Sequence, residues 1–253
     1  MTETLVPSKQ EAILIRPVHD FEEMNICVNL QREIWGYSDI EVLPAQVFVV
    51  AQKAGGQILG AYDGDRAVGF ALAFPATRQG QIYLYSHMVG VVFEYRDRGV
   101  GRLLKLVQRD DALARGIDLI EWTFDPLQLK NAYFNISKLG AIVRQYLPNA
   151  YGRTASPLQG GLPTDRLIAE WWLNSDRVRD RLAKKSVVQN EVCYRVAVPA
   201  AIWGICRTSP KKAESIQTRV RSEFVSLISR GYAAVGFEFD QDNGTYILEP
   251  YEK

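Results

Sequence analysis

Histidine and cysteine are scarce in this chain of 253 residues: two histidines, His19 and His87, and three cysteines, Cys27, Cys193 and Cys206. An odd number of widely spaced cysteines argues against a disulfide framework and supplies no CxxC clamp. With so few histidines and no HExxH, a histidine-rich zinc site cannot be assembled, and no metal is expected. GxSxG and GxxxxGK[ST] are missing too, which removes the nucleophile elbow and the loop that cradles a triphosphate. Charge of one sign is also lacking, because 30 Lys and Arg stand against 29 Asp and Glu. No global field then drives the chain onto nucleic acid or an anionic membrane, and neither is expected as a partner. The longest apolar runs, such as Ala200 to Cys206, fall far short of the ~20 residues that span a bilayer. The first residues, MTETLVPSKQEAILI, lack the basic start and apolar stretch of a secretory signal, so a reducing, cytoplasmic setting is expected.

What is present describes a core-forming protein: 47% hydrophobic, 23% charged and 11% aromatic residues. That composition excludes a mostly disordered chain. Ile13 to Arg16 reads as a strand ending at Pro17. Phe21, Met24, Val28, Leu30, Ile34 and Trp35 then recur at helical spacing up to Gly36. A second helix runs from Pro44 to Gly55-Gly56, with Pro in its first turn and Gly past its end. Three strands follow as a meander: Gln57 to Tyr62, Ala67 to Phe74 closed by Pro75, and the long Gln81 to Val92. Val100 to Ala114 is an amphipathic helix, Leu119 to Phe124 a strand, Asn131 to Leu139 a helix, and Ala141 to Tyr146 a strand. A meander followed by alternating strands and helices predicts an α/β (α+β) fold with a mixed sheet and helices on its faces.

From Tyr151 to Pro163 the composition turns to Gly, Pro, Ser and Thr, which marks a loop. Beyond it come a strand over Arg166 to Leu173, a basic helix over Ser175 to Lys185 and a strand over Val192 to Val198. A helix over Lys212 to Arg230 and a hairpin of Tyr232 to Phe239 with Tyr246 to Leu248 complete the chain. The basic run Arg177, Arg179, Arg181, Lys184 and Lys185 reads as a solvated helix face or, less commonly, a binding patch. Trp171 and Trp172 point to opposite faces of a strand, so at least one belongs to the core.

The most informative stretch is Val91 to Leu104, where Arg96, Gly99 and Gly101 sit in a turn between a strand and a helix. Main-chain N–H groups and the positive end of the helix dipole make such a turn an anion site. Glycine lets a phosphate approach without a Cβ in the way, and Arg96, Arg98 and Arg102 add charge and forked donors. A turn that merely needs glycine is the bland alternative. A Rossmann turn fails on its third glycine, since Leu104 stands there.

The order R-x-x-G-x-G between Val89-Gly90-Val91 and an amphipathic helix resembles the signature of the GNAT superfamily of acyl-CoA-dependent N-acyltransferases. Leu119 to Phe124 sits where the fifth strand of that superfamily lies. Asn131 to Gly140, NAYFNISKLG, looks like its second CoA-contacting segment. The resemblance covers residues 11 to 175, roughly two-thirds of the chain. The spellings TFDPL, NAYFNISKLGA and GLPTDR look like a bacterial branch of predicted acetyltransferases, some of whose relatives are associated with N-succinylation of amino acids.

The resemblance implies a mostly antiparallel central sheet whose fourth and fifth strands splay apart. Residues 1–175 would form the acyl-CoA-binding catalytic domain, and residues 176–253 an α+β extension packed on it. It implies acetyl-CoA or another acyl-CoA as co-substrate and a small-molecule amine or amino acid as acceptor. Acetyl is the default acyl group and succinyl its rival. Met88, Val89, Gly90 and Val91 would meet the pantetheine arm. Arg96, Asp97, Arg98, Gly99, Val100, Gly101 and Arg102 would hold the pyrophosphate, and Asn131 and Tyr133 the far side of the arm.

Direct transfer needs a base for the amine and, at most, an acid for the thiolate. Tyr85, His87, Val89 and Val91 share one face of the fourth strand by the two-residue period. His87 alone among them has an ordinary pKa near neutrality, and some superfamily members carry a histidine at the matching position. Glu121 and Glu94 compete with it. The acid of the family is often a tyrosine four residues before the helix-ending glycine, a place held here by Ile136. Tyr133, one helical turn earlier, is either a displaced acid or core filling beside Phe134, and solvent is the other source of the proton. A non-catalytic acyl-CoA-binding module therefore stays open. Tyr151, Arg153, Asp165 and Arg166 gather around the Gly/Pro loop, where an arginine suits a substrate carboxylate.

Overall fold

The computed structural model describes residues 12–152, 161–185 and 192–251. By packing, the chain forms two compact units, Met1–Pro75 with Met88–Asp111, and Ala76–His87 with Ala112–Lys253. Residues 176–253 thus share a unit with residues 112–175. Strand β4 contributes to both units.

In the first unit, β1 (Leu14–Pro17), β2 (Gln57–Asp63) and β3 (Arg66–Arg78) pair antiparallel in chain order. Helix α1 (Phe21–Trp35) starts where Asp20 accepts from the Glu23 N–H, and it ends at Gly36 in the left-handed region (φ 66°). Helix α2 (Ala45–Lys53) begins after Pro44. Met24, Leu30, Phe48, Phe70 and Leu72 form the heart of this core. Two glycines are set by close approach. A Cβ on Gly90 would come within 2.7 Å of Trp35, and one on Gly69 within 2.6 Å of the Gly90 carbonyl.

Strand β3 runs through Pro75 to Arg78, four residues beyond the Phe74 end expected from sequence. Its last β2 partner is Ala73, so the missing N–H of Pro75 costs no bond to that neighbour.

In the second unit, β4 (Gln81–Val91) pairs parallel with β5 (Leu119–Phe124) through only Leu84 with Ile120 and Tyr85 with Glu121. The ladder stops there, so the rest of β5 has no β4 partner, the local form of a splay. β5 then pairs with β7 (Arg166–Trp172), β7 with β6 (Ile142–Leu147), and β6 with β9 (Tyr232–Phe239), all antiparallel. β9 pairs with β10 (Asn243–Pro250), which pairs with β8 (Tyr194–Pro199). The described residues therefore hold ten strands with one parallel pair, a mixed and mostly antiparallel arrangement.

Helix α3 (Val100–Ala114) has the bounds expected. The next helix does not: α4 (Leu129–Ala132) opens two residues before Asn131 and passes into a π-helical turn over Tyr133–Lys138. The Leu139 N–H reaches the Phe134 carbonyl, five residues back. α5 (Asp176–Leu182) is capped by Ser175. The apolar run at 200–206 is mostly a helix, α6 (Ile202–Thr208), which precedes α7 (Pro210–Ser229). Trp171 is fully buried and donates to the Leu139 carbonyl, while Trp172 is half-buried and donates to Glu170.

Candidate functional site

In the first unit, β4 ends at Val91 and a 3-10 turn over Phe93–Tyr95 leads to Arg96, Asp97, Arg98 and Gly99, all exposed. The turn is held from below. Arg96 Nε donates to the Val91 carbonyl at 3.1 Å and its Nη2 to the Ile34 carbonyl at 3.0 Å. Tyr95 donates to Asp63 at 2.6 Å, and Arg98 lies over the Tyr95 ring at 4.8 Å. Arg96, expected as an anion donor, therefore spends two of its donors on the main chain and shapes the turn. Asp97 and Gly99 both take positive φ, 57° and 84°.

The Leu103 N–H donates to the Gly99 carbonyl, so Gly99 is where α3 starts. By helix geometry the N–H groups of Val100, Gly101 and Arg102 have no acceptor within the helix. Gly99 needs glycine for its φ. Gly101 does not: its backbone is helical, and a Cβ there would meet only Val91 Cγ2 at 3.9 Å. Glycine in a helix costs about 1 kcal/mol relative to alanine, and no protein atom demands it at 101. Bare main chain at the positive end of a helix is an arrangement that suits an anion. Of the four expected pantetheine residues, Met88 and Gly90 are buried in the core, and Val89 and Val91 are half-buried.

In the second unit, the face of β4 that carries Tyr85 and His87 continues across β5 and β7. Tyr85 stands opposite Glu121, and Glu121 opposite Glu170. The Tyr151 hydroxyl meets Thr123 Oγ1 at 2.9 Å and the Tyr85 hydroxyl at 3.2 Å. Burial, and then the Tyr151 bond, push the Tyr85 phenol up to about 12. The guanidinium of Arg166 lies over the Tyr151 ring at 5.4 Å. His87 is at the surface with its ring 6.4 Å from that of Tyr85, and desolvation by its surroundings lowers the imidazole below its ordinary value. It is then neutral, and able to accept a proton, at pH 7.

Glu121 is 3% exposed and paired with Arg78. Burial raises its carboxyl, Arg78 opposes that, and Glu170 adds to it. Glu170 is held in turn by Arg144, at 2.5 Å. Two buried carboxylates side by side thus each carry their own arginine, and Glu121 is committed as an ion-pair partner rather than poised as a base. Glu94 is exposed in the first unit, 4.0 Å from Arg66.

Asp165 is also committed. It is fully buried and accepts from Tyr146 (2.5 Å), the Asn149 N–H (2.9 Å) and both Nε and Nη2 of Arg221 (2.8 Å each). Four donors saturate its oxygens and leave none for a substrate. Arg153 lies outside the described residues. Asn131 is exposed on α4. Tyr133 packs edge-on against Phe239, with the Lys138 ammonium 5.0 Å from its ring. Ile136 is wholly buried, so the residue standing where the family places its acid is core. Arg78, Thr123, Arg144 and Glu170 were missed by sequence reasoning. Only the two-residue period through Tyr85 and His87 on the fourth strand pointed to that face.

No helix among the described residues is long and apolar enough to cross a membrane, and no group of three metal-ligating side chains comes together. Neither a protein-family model nor a curated sequence matches the chain. Solved structures do. A protein of Desulfovibrio desulfuricans assigned to the GNAT family of acetyltransferases is 16% identical, aligns over 64% of this chain and 99% of its own, and gives a TM-score of 0.51. The ribosomal-protein-alanine N-acetyltransferase of Escherichia coli is 13% identical over 72% of this chain and 99% of its own, with a TM-score of 0.52. NAA60 of Arabidopsis thaliana, in complex with acetyl-CoA, is 13% identical over 64% and 99%, also at 0.52. The chain has the GNAT fold.

Proposed function

We propose that this protein is an N-acyltransferase of the GNAT superfamily that moves an acyl group, acetyl by default, from acyl-CoA to a primary amine by direct transfer. The observation that carries this reading is Gly101, a helical glycine that no protein atom requires, above a turn whose N–H groups lack intrahelical acceptors. That arrangement suits the pyrophosphate of CoA, and the fold is that of a protein solved with acetyl-CoA.

In the proposed reaction, the turn at 96–101 holds the donor through its main-chain N–H groups. His87, neutral at pH 7 because its surroundings disfavour the imidazolium, accepts the proton of the acceptor amine. The hydroxyls of Tyr85, Thr123 and Tyr151 offer hydrogen bonds to the acceptor. The nitrogen attacks the thioester carbonyl, the C–S bond breaks, and the thiolate leaves. A free thiol has a pKa of ~8.5, so it departs near neutral pH with little acid catalysis. Arg166, beside Tyr151, suits an acceptor that carries a carboxylate, as an amino acid does.

One observation favours a second reading, a non-catalytic acyl-CoA-binding module: the buried Ile136 at the usual place of the acid. A thermal-shift screen of acetyl-, propionyl- and succinyl-CoA, followed by thiol release with a panel of amines and amino acids, separates them. Turnover with any amine supports the transferase. Binding without turnover across the panel supports the module.

A further inference from the structure

The basic run at 177–185, which α5 begins, is not all solvated. Arg179, Lys184 and Lys185 are exposed, but Arg177 and Arg181, one helical turn apart, lean inward and line a cavity of about 210 Å³ within the second unit. Waters take ~30 Å³ each, so the cavity has room for several, or for one small molecule. Gly236 of β9 and its register partner Ile247 of β10 line it, and a Cβ on the glycine would come within 2.9 Å of Ile247 Cδ1.

Arg177 is anchored. Its Nε donates to the Gly140 carbonyl at 3.0 Å and its Nη2 to the Val235 carbonyl. Desolvation, and then the charge of Arg181, bring this guanidinium down to about 10. Arg181 is lowered by desolvation as well, and its Nε is buried without a hydrogen-bond partner. Two partly desolvated cations held side by side, one with an orphaned donor, are costly unless an anion joins them.

The rest of the lining limits which anion. Glu238 and Glu249 border the same cavity, and Glu249 acts on both guanidinium groups through its charge. Ser137 also borders it, with its hydroxyl hydrogen given to the Phe237 carbonyl at 2.8 Å. Glu238 is paired with Arg195 at 2.9 Å, so Arg177 and Arg181 stand against Glu249 with one net positive charge, too little for a dianionic phosphate and matched to a single negative charge. A planar carboxylate also matches the guanidinium fork.

From this cavity, its paired arginines and the orphaned Arg181 donor, we propose that α5 and the β9–β10 hairpin form a binding site for a small monocarboxylate, separate from the residues assigned to acyl transfer. The site does not depend on the acyl-transfer reading. Its ligand is a simple carboxylate or the carboxylate of an amino acid, whose ammonium would meet Glu249.

Calorimetric titration of the full chain at constant ionic strength, with acetate, glycine and inorganic phosphate as probes, tests this. The site predicts saturable 1:1 binding of acetate or glycine. Glycine binding the tighter marks the amino-acid source, and acetate the simple one. Arg181→Met, which keeps the apolar stem, is expected to weaken that binding at least ~tenfold, in line with loss of a charged hydrogen bond. Arg179→Met, on the exposed side of the same helix, leaves it unchanged. If the methionine variant fails to fold, Arg181→Lys reads the same effect with a smaller loss, since it keeps the charge and loses the fork. No saturable carboxylate binding, tighter binding of phosphate, or equal affinity in the Arg181 variants would each overturn the proposal.

Discussion

Replacing Gly101 with alanine separates what the fold wants from what the ligand wants. The residue is helical, in the first turn of α3, and a Cβ would meet nothing closer than Val91 Cγ2 at 3.9 Å. Alanine should therefore stabilise the folded chain by about 0.5–1 kcal/mol through helix propensity and the smaller entropy of its unfolded state. For a chain of this size that is a rise in Tm of roughly 1–4 °C. The same methyl group stands where the proposed pyrophosphate approaches. CoA affinity should fall by ~tenfold or more, worth about 1.4 kcal/mol. Gly90→Ala is the opposing control, because its Cβ would come within 2.7 Å of Trp35, and it should lower Tm by disturbing the packing of α1. Differential scanning calorimetry gives the stabilities and isothermal titration the affinities. A Gly101→Ala protein that is less stable than the parent, or binds CoA equally well, would refute the reasoning.

Four substitutions in the second unit have defined outcomes. His87→Gln should lower kcat by ~10²–10⁴-fold without unfolding, the usual range for a lost general base. In the parent, the acid limb of the rate profile should lie below the ordinary imidazole range, because desolvation lowers His87, and the variant should lose that limb. Ile136→Tyr should bring no rate gain and should destabilise by ~1–3 kcal/mol, since the site is wholly buried, and Tyr133→Phe should change kcat less than ~tenfold; steady-state rates and urea denaturation check both. Asp165→Asn should cost about 3 kcal/mol in urea denaturation, from breaking a buried pair with Arg221, whereas a substrate role would raise KM at unchanged stability.

Most elements were legible because their signals were local. Gly36, Gly116 and Gly140 punctuate helices or turns at positive φ, and the 3.6-residue period of 100–114 gave α3 its true bounds. What escaped depends on neighbours distant in sequence. Pro75 reads as a strand end, yet β3 continues because β2 has already stopped pairing there. The π turn at 133–138 and the helix hidden in the apolar run at 200–206 have no period of their own. The site divides the same way. The turn at 96–101 is contiguous and could be read. Asp165 and Glu121 look like free loop and strand carboxylates until Arg221 and Arg78 are seen beside them. The basic run at 177–185 gave its charge but not its orientation, and only the packing shows which arginines turn inward.

The most direct test of the account is the thiol released from acetyl-CoA with and without amine acceptors, run on the parent chain and on Gly101→Val. Release should depend on both an amine and the parent glycine, with the acylated amine seen by mass spectrometry. Release at equal rates from the two proteins would contradict it, as would a parent chain that neither binds acetyl-CoA nor acylates any amine.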